Sequence, residues 1–181
     1  MQRKLRVLLD KALLLFVFAS WLAGCNSANT NDPTSAPVDP IDAFAVRPIS
    51  AQALRASMAS SATQPRLFNF WATWCEPCLR ELSVLQSFAT LSGWELVLVN
   101  LDAPSGRASR VDTYLNKYDI QSKTAFYLDT PDPSLLLPTI LQPFNDIIPV
   151  TLMVDKQGVL LARFDGETTQ AMLEEALTGA P

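Results

Sequence analysis

Residues 68–80 read FNFWATWCEPCLR, an apolar and aromatic run followed by Cys75 and Cys78 with Glu76 and Pro77 between them. Two cysteines at this spacing can bind a metal, staple a fold or pass electrons. Counting narrows the choice, because the chain has three cysteines and no histidine. A tetrahedral zinc site, normally built from four Cys or His ligands, cannot be completed without unusual oxygen ligands, so no metal is expected, and a working cysteine pair calls for no cofactor. The missing histidine also removes Ser-His-Asp hydrolysis, Cys-His proteolysis and His-based acid–base chemistry.

The neighbouring sequence predicts where the pair sits. Arg66–Trp71 reads as a buried strand, and alternation puts Asn69, Trp71 and Thr73 on one face and Phe70 on the other, so that Trp71 either approaches the active-site edge or, the commoner fate, packs in the core. After the cysteines, Leu79, Leu82, Leu85 and Phe88 keep a helical period over Glu76–Leu91 that Ser92-Gly93 closes. Glu81 reads as a solvated residue of that helix. Trp94–Asn100 suits a second interior strand, and Arg107–Tyr118 has helical spacing at Val111, Tyr114, Leu115 and Tyr118. Ser50 can cap a short helix through Leu54 and Met58, while Ala125–Leu128 suits a short strand. Asp132-Pro133 predicts a helix start, broken by Pro138 and Pro143. A hairpin, Val150–Val154 with Val159–Phe164, turns at Asp155–Gly158, and a last helix covers Thr168–Leu177. Strands joined by crossover helices are parallel and a hairpin adds antiparallel ones. The expectation is an α/β fold with a mixed sheet covered on both faces.

CEPC thus falls where a strand ends and a helix begins. The helix N-terminus offers unpaired N–H groups and partial positive charge, which stabilise a thiolate at Cys75. Cys78 lies one turn further in, more shielded and placed to resolve a mixed disulfide. Pro77 stiffens the turn at an early helical position without losing a hydrogen bond. Glu76 sets a negative charge beside Cys75, opposes the helix dipole and so favours a reducing pair. A structural staple would not require such a corner.

The N-terminus sets the compartment. Arg3, Lys4, Arg6 and Lys11 precede the apolar run Ala12–Leu22, too short to span a membrane comfortably, so residues 1–24 read as a secretory signal peptide. Leu22-Ala23-Gly24-Cys25 resembles the bacterial lipoprotein box, which implies lipidation of Cys25 and leaves Cys75 and Cys78 to work as a pair in an oxidising compartment. Residues 25–47, rich in Asn, Ser, Thr and Pro, read as a flexible tether that reaches roughly 60 Å when extended. Residues 48–181 then form one domain. A formal charge of −4 and the lack of a basic cluster past the signal peptide argue against nucleic acid.

FNFWATWCEPC with its amphipathic helix, followed later by IPVTLMVDKQG, resembles the thioredoxin superfamily over about residues 49–180, in particular its membrane-tethered TlpA/ResA-like thiol-disulfide oxidoreductases. The resemblance implies a four- to five-stranded mixed sheet with helices on both faces and an insertion after the second strand. It makes Cys75 the attacking cysteine, Cys78 the resolving one, Trp74 the aromatic before the motif and Pro149 a cis-proline. A cis bond there would turn the Ile148 backbone toward the cysteines, free to pair with an extended substrate segment. Ser83 stands where the family commonly has a helix-kinking proline, and Val150 where threonine is usual, with Thr151 next. Asn69 occupies the place of a buried acid in cytoplasmic thioredoxins and cannot titrate. Asp102, beyond the second strand, is the substitute carboxylate the resemblance suggests, against the alternative of a loop Asp that merely ends a strand.

The expected function is extracytoplasmic reduction of disulfides in client proteins. The implied partners are those clients, a membrane thiol reductant as electron donor, and the membrane itself through the lipid. The same chemistry restricted to cytochrome c or copper-site maturation is an alternative. A redox-inactive binding lipoprotein with a permanent disulfide is an alternative of another class, and a peroxidase has no support beyond the motif.

Overall fold

The run Arg66–Trp71 forms the central strand β2 and is buried along its whole length, as a strand covered on both faces must be. The computed structural model describes residues 46–179 apart from 106 and 123. The expected signal peptide, the lipidation site Cys25 and all but the last two residues of the expected tether lie outside the described residues.

In chain order the elements are β1 (Arg47–Ile49), α1 (Ala51–Ala59), β2 (Arg66–Trp71), α2 (Glu76–Ser92), β3 (Glu95–Asn100) and α3 (Arg107–Lys117). They continue with β4 (Thr124–Leu128), a 3-10 turn (Pro133–Leu136), α4 (Leu137–Ile140), β5 (Val150–Val154), β6 (Leu160–Asp165) and α5 (Gln170–Gly179). One six-stranded sheet runs in the order β1-β4-β3-β2-β5-β6. β2, β3, β4 and β1 pair in parallel, joined through crossover helices, while β5 runs antiparallel to β2 and β6 antiparallel to β5. The mixed α/β architecture is the expected one, with one more strand than the four or five anticipated. The extra strand is β1: Arg47, at the end of the sequence-read tether, registers with Phe126 and its guanidinium lies 5.4 Å from that ring.

Local chemistry accounts for the helix ends. Ser50 caps α1 by accepting from the Ala53 N–H at 3.1 Å. Gly93 takes the left-handed conformation that ends α2, φ 70°. The region after Asp132 departs from expectation. Its side chain caps the 3-10 turn, which passes directly into α4, and Pro138 sits in the first turn of α4, where it breaks nothing. The Gln142–Pro143 and Ile148–Pro149 bonds are both cis.

The core fills both sides of the sheet. Asn69 reaches Glu81 of α2, so alternation places Trp71 on the α2 side and Phe68 and Phe70 on the opposite side. All three aromatic side chains are fully buried. Trp71 is therefore a core residue, the commoner fate of such side chains.

Candidate active site

Cys75 is the N-cap of α2. Its Sγ accepts from the Cys78 N–H at 3.3 Å and is joined to Cys78 by a disulfide. A sulfur at this position faces the unpaired N–H groups of the first turn. Cys75 retains 5% of its surface and Cys78 none, so a partner can approach only the N-terminal sulfur. Pro77 lies in the first turn, where its missing N–H is no loss.

Ile148 stands over the pair, its carbonyl oxygen 3.9 Å from Cys75 Sγ. Trp74 projects beside Cys75 with 69% exposure. Trp74 and Ile148 share a groove of about 450 Å³ with Leu101, Leu135, Leu137 and Phe144, so the 3-10 turn and α4 build the wall next to the disulfide. Pro149 opens β5 from directly behind Ile148, and Gly166 donates to its carbonyl at 2.8 Å.

Between β2 and α2 lies a buried polar cluster. Asn69 Nδ2 donates to Glu81 Oε1 at 2.6 Å and to Thr151 Oγ1 at 3.0 Å, and the Thr168 N–H donates to Glu81 Oε2 at 2.7 Å. Glu81 is 1% exposed, and its carboxyl is pushed up to about 7 by burial, against the downward pull of the hydrogen bonds from Thr168 and Asn69. This corrects the reading of Glu81 as a solvated helix residue. The signal was present: Glu81 lies three residues after Cys78 and beside Leu82, inside the apolar stripe that continues to Leu85 and Phe88. Asn69, itself unable to titrate, holds the carboxyl that can. Asn69 Oδ1 and Thr168 Oγ1 have no partner within the described residues.

The two other residues assigned to redox tuning are placed apart. Glu76 is exposed and lies 3.2 Å from Arg80, which also takes Glu167 at 2.6 Å. The hydrogen bond from Arg80 holds Glu167 below the usual carboxylate range. Two acids to one arginine leave a negative balance at the start of α2. Asp102 is fully buried, yet no hydrogen bond joins it to either cysteine within the described residues. Its carboxylate accepts instead from the Thr73 N–H at 2.8 Å and the Thr73 hydroxyl at 2.6 Å.

Comparison with known proteins agrees with this geometry. No family model matches the chain. The thiol-disulfide oxidoreductase ResA of Bacillus thuringiensis is 26% identical over 113 residues, covering 60% of this chain and 59% of the relative. The thioredoxin-like protein YneN of Bacillus subtilis is 23% identical over 138 residues, 74% of each chain. The crystal structure of a DsbF homologue from Corynebacterium diphtheriae matches with a TM-score of 0.53 and 20% identity, covering 64% of this chain and 71% of that one, a likeness of fold. The chain spans about three fifths of the length of the ResA relatives. A six-stranded α/β fold with a CxxC pair at a strand-to-helix corner is that of a thioredoxin-like protein. In sequence the chain is similar to ResA-like members of the thioredoxin superfamily.

Proposed function

We propose that the protein is a thiol-disulfide oxidoreductase that reduces disulfides in client proteins outside the cytoplasm, held at a membrane by lipid on Cys25. The observation that carries the reading is the disulfide with Cys75 as helix cap, next to the Ile148 carbonyl and the exposed Trp74. In the reduced protein the Cys75 thiolate attacks one sulfur of a client disulfide. That bond breaks, a mixed disulfide forms, and the client's other sulfur leaves as a thiolate and takes a proton. Cys78 then loses its proton and attacks Cys75 Sγ, which releases the second client thiolate and forms the Cys75–Cys78 disulfide. Two electrons pass to the client, and a dithiol reductant must return them. Glu81, buried on the same face of α2 one turn beyond Cys78, is suited to take the proton of Cys78 near neutral pH. The negative balance of Glu76, Arg80 and Glu167 makes a thiolate at Cys75 costlier and supports the reducing direction. The ResA name of several relatives supports the same chemistry.

Trapping tests the order of attack. Cys78→Ser should accumulate mixed disulfides through Cys75, and Cys75→Ser should accumulate none; equal trapping by both would contradict the assignment. A redox titration separates a working pair from a permanent staple. A pair resisting glutathione, with a potential below about −300 mV, is structural. The Ile148 carbonyl and the groove beside it favour protein clients.

A further inference from the structure

We propose that Asp102 is a positioning residue: its carboxylate latches the Ala72–Cys75 turn through Thr73 and thereby aims Trp74 and Cys75 at the client disulfide, without handling protons itself. This rests on the oxidoreductase reading above. The turn is short and has one internal backbone bond, Cys75 N–H to the Ala72 carbonyl at 3.2 Å. Between those two residues Thr73 gives both its N–H and its hydroxyl to the two oxygens of Asp102. A carboxylate that accepts two donors from one residue fixes that residue's position and orientation together. The next residue, Trp74, has little else to hold it, for most of its side chain faces solvent.

Asp102 is itself held from α3. Arg110 Nε lies 3.4 Å from Asp102 Oδ2, and Arg110 also donates to the carbonyls of Ser105 and Ala103. Arg107 donates to the Asp102 carbonyl at 3.3 Å and stacks 3.6 Å over the Tyr127 ring. The Asp102 N–H donates to Asn100 Oδ1. Among the described residues the hydrogen-bond donors to the carboxylate are thus Thr73 and Arg110, and no hydrogen bond joins it to a sulfur. The chain from α3 through Asp102 to Thr73 fixes where Trp74 stands relative to Cys75, and a client meets those two residues first.

The test uses the full chain with insulin as the disulfide substrate and dithiothreitol as reductant. Asp102→Ala should raise KM on the order of tenfold, since it leaves the Thr73 donors unpaired. Thr73→Val, of the same shape, removes one of the two bonds and should give a smaller rise, and it carries the test if Asp102→Ala fails to fold. Asp102→Asn should restore part of the loss, because an amide can accept the Thr73 N–H and donate to its hydroxyl, while its NH2 forfeits the Arg110 Nε donor. The shape of the kcat/KM pH profile should be the same in all four proteins. The proposal is overturned if Asp102→Asn loses as much as Asp102→Ala, if the pH profile of Asp102→Asn moves, or if neither Asp102→Ala nor Thr73→Val changes KM. Hydrogen exchange at the Thr73 amide separates this from failure of the functional reading. If the wild type does not reduce insulin, the oxidoreductase reading fails, while faster Thr73 exchange in Asp102→Ala than in Asp102→Asn still supports the latch. Unchanged exchange in Asp102→Ala removes it.

Discussion

Glu81 is a buried acid whose charged form the fold makes costly. Its carboxyl is pushed up to about 7 by burial, so the folded protein binds a proton that the unfolded chain releases near the ordinary carboxylate value. The sign follows from linkage: the stability tied to this group is fully present below about pH 4.5 and is lost as pH rises toward 7, where the fold must hold a buried charge. The size is on the order of 3 kcal/mol for a shift of this extent. Glu81→Gln should therefore flatten the fall in thermal stability of the oxidised protein between about pH 5 and pH 8. The replacement fits its surroundings, since Asn69 can rotate its amide and present Oδ1, which has no partner now, to the new donor. Thermal unfolding across that pH range decides it, and an unchanged slope would mean that Glu81 is already neutralised or hydrated. The same substitution should slow the resolving attack of Cys78 near neutral pH, measured by the lifetime of the mixed disulfide.

Among the elements, the ends are the most legible and the easiest to test. Gly93 and Gly158 both have positive φ, 70° and 87°, yet their surroundings differ. Among the described residues nothing lies within reach of a Cβ added at Gly93, whereas at Gly158 it would run into the backbone of Ala59 at the end of α1. Gly93→Ala should cost about 1 kcal/mol, the conformational term alone. Gly158→Ala should cost at least about 2 kcal/mol more, because the turn of the β5–β6 hairpin must move off α1. Denaturant unfolding of the two variants compares them directly, and equal losses would show that the hairpin tip yields freely. The Ser50 cap and the Gly93 stop were legible because they follow from backbone rules within one turn of chain. Pro138 misled because a proline reads as a break unless the helix start is placed one residue before it. Strand β1 was missed because three residues have no period, and only pairing with β4 makes them a strand.

For the whole molecule, the expectation with the widest reach concerns attachment. No described helix is long and apolar enough to cross a membrane, and the proposed tie is lipid on Cys25. Cys25→Ser should move the protein from the membrane fraction to the soluble one with its insulin reduction unchanged. Recovery of that variant firmly in membranes would remove the lipid anchor from the proposal. What the sequence determined by itself is the corner: a buried strand, a CxxC pair, an early proline and an amphipathic helix follow from periodicity and from residue preferences that act within a few positions. The parallel and antiparallel strands follow from their connections. Tertiary structure alone decided what stands around that corner. Ile148 meets Cys75 across 73 residues, Thr151 meets Asn69 across 82, and Thr168 meets Glu81 across 87. Periodicity tells which face of an element turns inward but not which group waits opposite it. The fates of Glu81 and Asp102, one a buried acid bound to Asn69 and Thr168 and the other bound to Thr73, were therefore settled by packing, which sets both the desolvation of a carboxylate and the donors that reach it.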